Sequence, residues 1–276
     1  MSSPYIDDSQ RPRLRPSIAA FLDVLGFSHY STVSATLEES QQLLDQIHSA
    51  IRDSRAFARQ FFVDQAFADP SYWALKFFSD NLVIGFPADE KVVDQTQAAL
   101  FAVRCMQRYQ FYMATTGFFV RGAASIGPLC LTDEIIFGSA LVECYRLESK
   151  ASIVPRVVLT QSLTDLVMDA LKNEKLDPRE TGQLICRDVD DWWFVNYLHA
   201  TVTPQGVDWK LIEKHKDSVI AYLAKTKTHD VLPKFGWACR YHNVFCHWHR
   251  NDPNYSDAYR IDRSDEDSTI DLLGEI

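Results

Sequence analysis

The sequence contains no apolar run long enough to cross a bilayer and no N-terminal signal segment. Its six cysteines, Cys105, Cys130, Cys144, Cys186, Cys239 and Cys246, are scattered with no paired framework. The first lack argues against a membrane protein and the second against a disulfide-stapled secreted scaffold, so the expectation is a reduced, cytoplasmic chain. Positive charge is also scarce. With a formal net charge of -9, the chain is not expected to bind nucleic acid through a sequence-independent surface, which requires a basic face to neutralise phosphates. Free nucleotides stay open, because metal ions can supply positive charge. No internal repeat or low-complexity block is present, which sets aside a solenoid.

What the chain does have is material for a core: 276 residues, 46% of them apolar, suit one domain with elaborations. Ile18 to Phe27, IAAFLDVLGF, is an apolar run with a single carboxylate, Asp23, in its middle. Burying a charge is costly unless it is paired, and a metal ion is the usual solution where other acids converge. Trp73 to Phe86, WALKFFSDNLVIGF, repeats the design as two apolar strands broken at Ser79, Asp80 and Asn81. A strand ending in Asp23 beside a hairpin tipped by Asp80 would place two acids on one sheet edge. Oxygen-only ligands of this kind suit Mg²⁺ or Mn²⁺ rather than zinc, and two such ions about 4 Å apart are a standard clamp for phosphoryl or nucleotidyl transfer. Taken singly, each acid is equally a strand-end or turn aspartate.

Residues 1–16, polar and basic with three prolines, are expected to form a flexible arm. A first strand follows, with Gly26 and Phe27 in the turn after it. Apolar residues at three-to-four spacing predict a helix from Thr36 to Asp64, and another opens at Pro87 and Asp89 and ends at Thr115 to Gly117. Phe118 to Ile126 reads as a strand turned by Gly127 and Pro128. A short strand, a helix from Ser139 to Lys150 and a β-branched strand from Pro155 to Thr160 complete the pattern. Strand, helix, hairpin, helix, strand, strand, helix, strand describes an α+β sandwich of the split βαβ kind, with helices on a mainly antiparallel sheet. The expected layout is a catalytic domain over 17–160, a mostly helical extension packed on it over 161–250, and an acidic flexible tail over 251–276.

Three segments, FLDVLGF at 21–27, KFFSDNLVIGFP at 76–87 and VRGAASIGPL running on to FGSALVECYRLESKA at 120–151, resemble the class III nucleotide cyclases. Within that family they are most similar to the pyrimidine cyclases of the bacterial Pycsar antiphage system. The resemblance implies a class III cyclase-like sandwich and a homodimer with composite active sites. It implies that Asp23 and Asp80, with the backbone carbonyl of Val24, hold two divalent ions, Mn²⁺ or Mg²⁺. By the same resemblance the amides of Gly26 and Phe27 hold triphosphate oxygens, Lys76 falls where purine cyclases read the base, and Arg146 steadies the reacting phosphate from across the dimer. Val142 and Ile135 stand where purine cyclases carry the asparagine and the acidic or small residue that serve ribose and base, so a pyrimidine is the expected substrate.

The donor-only Lys76 leans towards UTP over CTP. The expected activity is therefore conversion of UTP to 3',5'-cyclic UMP and pyrophosphate, a signal for a separate effector protein in antiphage defence. A cytidylate cyclase and an inactive cyclase-like nucleotide-binding module are the alternatives. Two clusters are read as packing. Cys239, His242, Cys246 and His249 share one helical face, and one continuous helix seldom supplies four tetrahedral ligands. Trp192, Trp193, Phe194 and Tyr197 sit at strand spacing beside Asp190 and Asp191, as core and cross-strand partners do.

Overall fold

Residues 17 to 22 are all buried, and a strand can bury consecutive residues only where both faces of its sheet are covered. That strand, β1 (Arg15–Val24), lies antiparallel to β3 (Asn81–Pro87) on one side and to β4 (Val120–Leu131) on the other. Side-chain alternation sends Ile18, Ala20, Leu22 and Val24 into one core and Ala19 and Phe21 into a second. Helices α1 (Leu37–Gln60), α2 (Gln95–Thr115) and α4 (Gln161–Asn173) fill the first. The second is filled by α3 (Ser139–Ala151), α5 (Trp209–Lys225) and α6 (Leu232–Trp248). The structure is a computed structural model that describes residues 3–26, 36–60, 73–78, 81–89, 94–173, 184–225 and 232–262.

With β2 (Ala74–Phe78), β6 (Val157–Leu159), β7 (Ile185–Arg187) and β8 (Trp193–Val195), the main sheet runs β2-β3-β1-β4-β6-β8-β7, and β5 (Ile136–Phe137) pairs with β4. Only β4 and β6 run parallel among the described pairs; the others are antiparallel. This is the α+β sandwich expected from the sequence, with the same element order as far as β6. Two strands assigned to the extension, β7 and β8, hydrogen-bond into the same sheet.

Local chemistry sets the helix starts. At α1 the Thr36 hydroxyl accepts from the Glu39 amide at 3.2 Å, while the Glu39 carboxylate accepts from the Thr36 amide at 2.7 Å, a reciprocal cap. Helix α2 begins at Gln95 rather than near Pro87. The Ala88 amide still bonds the Pro16 carbonyl at 2.9 Å, and Asp94 is the residue that caps the helix, accepting from the Thr96 amide.

One expectation is corrected, and two segments expected to be flexible make specific contacts. Strand β4 passes through Gly127 and Pro128 without turning: Pro128 faces Pro16 across the ladder, and two residues without N–H groups fit an antiparallel position that exchanges no hydrogen bonds. The turn comes at Thr132, whose hydroxyl accepts from the Ile135 amide at 3.1 Å. The described part of the N-terminal segment packs on the sheet. Tyr5 is fully buried and donates to Ser17 Oγ at 2.9 Å, and Ser3 donates to the Leu131 carbonyl at 2.8 Å. Beyond residue 250 the chain again packs. Trp209 stacks on Tyr259 with ring centroids 4.9 Å apart, and Asn243 both donates to the Ile261 carbonyl and accepts from its amide. The rest of the acidic tail, 263–276, lies outside the described residues.

Candidate active site

Asp23 sits at the C-terminal end of β1, opposite Asn81 on β3 and Arg121 on β4. Its side chain is 14% exposed, and its Oδ2 accepts from Arg121 Nε at 2.8 Å. Arg121 Nη2 lies 3.0 Å from Glu148 Oε1 on α3, out of line for a hydrogen bond, so that buried oxygen is held by charge and not by a directed bond. One guanidinium thus bridges two carboxylates. Gly122 lets the strands approach this closely, since a Cβ there would stand 2.3 Å from the Phe21 carbonyl oxygen.

These three charged groups form one wall of a groove of about 530 Å³. Phe21, Phe78, Leu141, Val142 and Tyr145 form its apolar remainder, with Phe21 edge-on to Tyr145 at a centroid distance of 5.9 Å. Helix α3 is fixed beside the groove through Ala140, Cys144, Leu147 and Ala151, which are buried, and through Ser125 Oγ, which donates to the Ala140 carbonyl at 2.7 Å. Burial pushes the Cys144 thiol up to about 12, so it packs as a neutral group and is no nucleophile.

The other residues singled out in the sequence separate into distinct places. Val24 is buried in the ladder beside Val120, and Gly26 takes a φ of +81° in the turn that follows. Phe27 and Asp80 lie outside the described residues. Phe78 pairs with Asn81, the residue that follows Asp80. Lys76 does not line the groove: its ammonium donates to the carbonyls of Thr132 and Asp133 at 3.4 and 2.5 Å. Arg146 is exposed on α3 and does not line the groove, whereas Leu141, Val142, Tyr145 and Glu148 on the same helix do. Val142 therefore lies at the site, while Ile135 is exposed on the turn before β5.

Sequence reasoning missed Arg121 and Glu148. Glu148 left a readable trace, an acid at the same helical phase as Ala140, Cys144 and Ala151. Arg121 left none, because its pairing with Asp23 depends on strand register across 98 residues.

Asp23, Asn81 and Glu148, three residues with side-chain oxygens, are among those that line the groove, and oxygen is the donor type that suits a hard divalent cation. Among the described residues, no group of three His, Cys, Asp or Glu side chains is placed to hold a metal ion. On α6, Cys239, His242 and Cys246 are buried, as a packed face requires. His242 Nδ1 meets His215 Nδ1 at 3.0 Å, and its Nε2 meets the Tyr259 carbonyl at 2.9 Å. Tyr197 OH lies 3.0 Å from His215 Nε2. One proton arrangement satisfies all three contacts: Tyr197 donates to His215, His215 to His242, and His242 to the carbonyl. Phe194 and Tyr197 are likewise fully buried, as core residues, and Trp193 is half-buried, but Trp192 is exposed and not part of that core.

No family model matches the chain, and no curated protein matches it. Among solved structures, it is similar to the monomeric guanylyl cyclase domain of the RhoGC fusion protein from the aquatic fungus Blastocladiella emersonii. The identity is 14%, over 66% of this chain and 96% of that one, with a TM-score of 0.47. It is also similar to the guanylate cyclase domain of RhGC from Catenaria anguillulae in complex with GTP, at 15% identity over 66% of this chain and 98% of that one, TM-score 0.44. A class III adenylyl cyclase-like ATP-binding protein from Pseudomonas aeruginosa aligns at 12% identity over 60% of this chain and 38% of that one, TM-score 0.42.

Proposed function

We propose that the protein is a metal-dependent nucleotide cyclase that converts UTP to 3',5'-cyclic UMP and pyrophosphate. The observation that carries this reading is the pairing of Asp23 with Asn81, the residue next to Asp80, at the edge of an open, aromatic-walled groove. Two segments chosen from the sequence for their isolated acids are thus neighbouring antiparallel strands. In this reading Asp23, Asp80 and the Val24 carbonyl would hold two divalent ions, Mn²⁺ or Mg²⁺. When bound, the ions lower the pKa of the ribose 3'-hydroxyl and neutralise the leaving pyrophosphate.

The chain's own groups do the rest. Asp23 takes the hydroxyl proton or passes it to water. The amides at Gly26 and Phe27 would hold triphosphate oxygens, and Gly26, which has no Cβ, takes the positive φ of this turn without strain. Arg146 stabilises the charge that grows on the α-phosphate, a task for a planar, bidentate group. Its exposure outside its own groove fits delivery into the groove of a second copy. Phe78, Val142 and Tyr145, which line the groove, are all 43% exposed or more, and an apolar rim of this kind fits burial against that copy. By the motif resemblance Val142 and Ile135 replace the ribose- and base-serving residues of purine cyclases, which favours a pyrimidine; of the two, Val142 lines the groove. Release of Lys76 from the Thr132 and Asp133 carbonyls would free its donor for uracil O4 or O2. Cyclic UMP would then serve as the signal to a separate antiphage effector, as the motif resemblance implies.

Incubation of the purified protein with each of the four ribonucleoside triphosphates and Mn²⁺, with products resolved by mass, tests the reading. Cyclic UMP alone is expected, and its loss in Asp23→Ala. Cyclic CMP alone would retain the mechanism and replace the substrate. No product from any nucleotide would leave a nucleotide-binding module, for which the closed Asp23 to Arg121 pair would be the structural reason.

A further inference from the structure

We infer that Arg121 is a built-in counter-cation, shared between Asp23 and Glu148, which a divalent ion must displace from Asp23 and which Glu148 then receives. The inference rests on the reading that Asp23 is a metal ligand. Arg121 Nε is bonded to Asp23 at 2.8 Å, so one oxygen of the carboxylate already faces a full positive charge. A second cation at that oxygen meets both a competitor and a repulsion.

The destination is on the page as well. Glu148 Oε1 is buried, 3.0 Å from Nη2, and lacks a directed hydrogen bond. An acceptor in that condition gains most from a small shift of the same guanidinium towards it. Arg121 is the most open of the three side chains, at 26% exposed against 14% and 7%, so a shift does not require the core to open. Its Nη1 also lies 3.5 Å from the Ser152 carbonyl at the end of α3, which keeps the head near Glu148 throughout. Arg121 is therefore a positioning residue that sets metal affinity, with Glu148 as the second pole of a two-position balance.

The test is the affinity of the full-length protein for Mn²⁺ without nucleotide, by calorimetric titration and by metal-induced melting shift. Arg121→Gln should bind Mn²⁺ about tenfold or more tightly than the wild type, because the competing charge is gone. Glu148→Gln should bind it more weakly, because Arg121 then has only Asp23 to pair with. Arg121→Gln leaves the buried Glu148 carboxylate without its cationic partner, with only the Ser149 hydroxyl donating to it at 3.3 Å, and risks misfolding. The Arg121→Gln/Glu148→Gln double variant avoids that and is still expected to bind more tightly than wild type. Arg121→Lys keeps the charge and should stay close to wild type. A merely structural role would lower affinity in all of these together, and that result, or Glu148→Gln binding unchanged, overturns the inference. Binding that is the same in wild type and Asp23→Asn overturns it too, and with it the metal-ligand role of Asp23, whereas the wrong order among variants whose binding depends on Asp23 leaves that role standing.

Discussion

The His215 and His242 pair bears on stability in acid. Burial holds both imidazoles neutral, driving His215 well below the usual histidine range and His242 down to about 4. His242 adds to the depression of His215, while at His242 the bond to the Tyr259 carbonyl favours the charged form and Lys216 opposes it. In the unfolded chain both titrate near pH 6.5, so between there and about pH 4 the unfolded state binds more protons. Their contribution is complete above pH 6.5 and is lost as pH falls through that window, at about 1.4 kcal/mol for each unit of depression. The melting temperature should therefore drop steadily from pH 6.5 to 4. His242→Gln, which keeps a donor for the Tyr259 carbonyl but does not titrate, should flatten that limb; a limb unchanged in the variant would assign the acid loss elsewhere. Legibility at this scale follows from how local each signal is. Asp23 declared itself as one charge in an apolar run, while Arg121 and the His215 to His242 contact needed distant segments to be placed first.

Helix α3 depends on Gly138, at φ +143° where the chain leaves β5. A Cβ there would stand 2.1 Å from the Pro128 carbonyl oxygen, a distance no rotamer relieves because the obstacle is backbone. Gly138→Ala should destabilise the fold by about 2 kcal/mol or more in denaturant unfolding and lower catalysis with it, since the groove wall at Leu141, Tyr145 and Glu148 is displaced. A variant with wild-type stability would show that α3 can move off β4 freely. Helix and strand periods were readable because each element carries its own apolar face. The turn assigned to Gly127 and Pro128 was not, because the same dipeptide that breaks an isolated strand is tolerated where a ladder position exchanges no hydrogen bonds.

For the whole molecule, the exposure of Arg146 outside its own groove makes complementation the decisive measurement. A chain with Asp23→Ala mixed with a chain with Arg146→Ala should regain activity, because one of the two sites in each mixed dimer has both residues intact, while either variant alone should fall roughly a hundredfold or more. No recovery in mixtures shown to contain the mixed dimer would place Arg146 in its own protomer's site. The packed segments 3–16 and 251–262 escaped sequence reading because each is held by a few aromatic and side-chain contacts, Tyr5 on Ser17 and Trp209 on Tyr259, and carries no repeating pattern.

The central place of β1 also bears on synthesis. Its ladder partners are β3, from Asn81, and β4, which ends at Leu131, so an emerging chain carries the apolar stretch Ile18 to Leu22 with both edges open until the hairpin arrives, and with one edge open until β4 follows. Nascent chains halted before Val120 are the ones expected to need a chaperone, and fragments that end there are expected to aggregate.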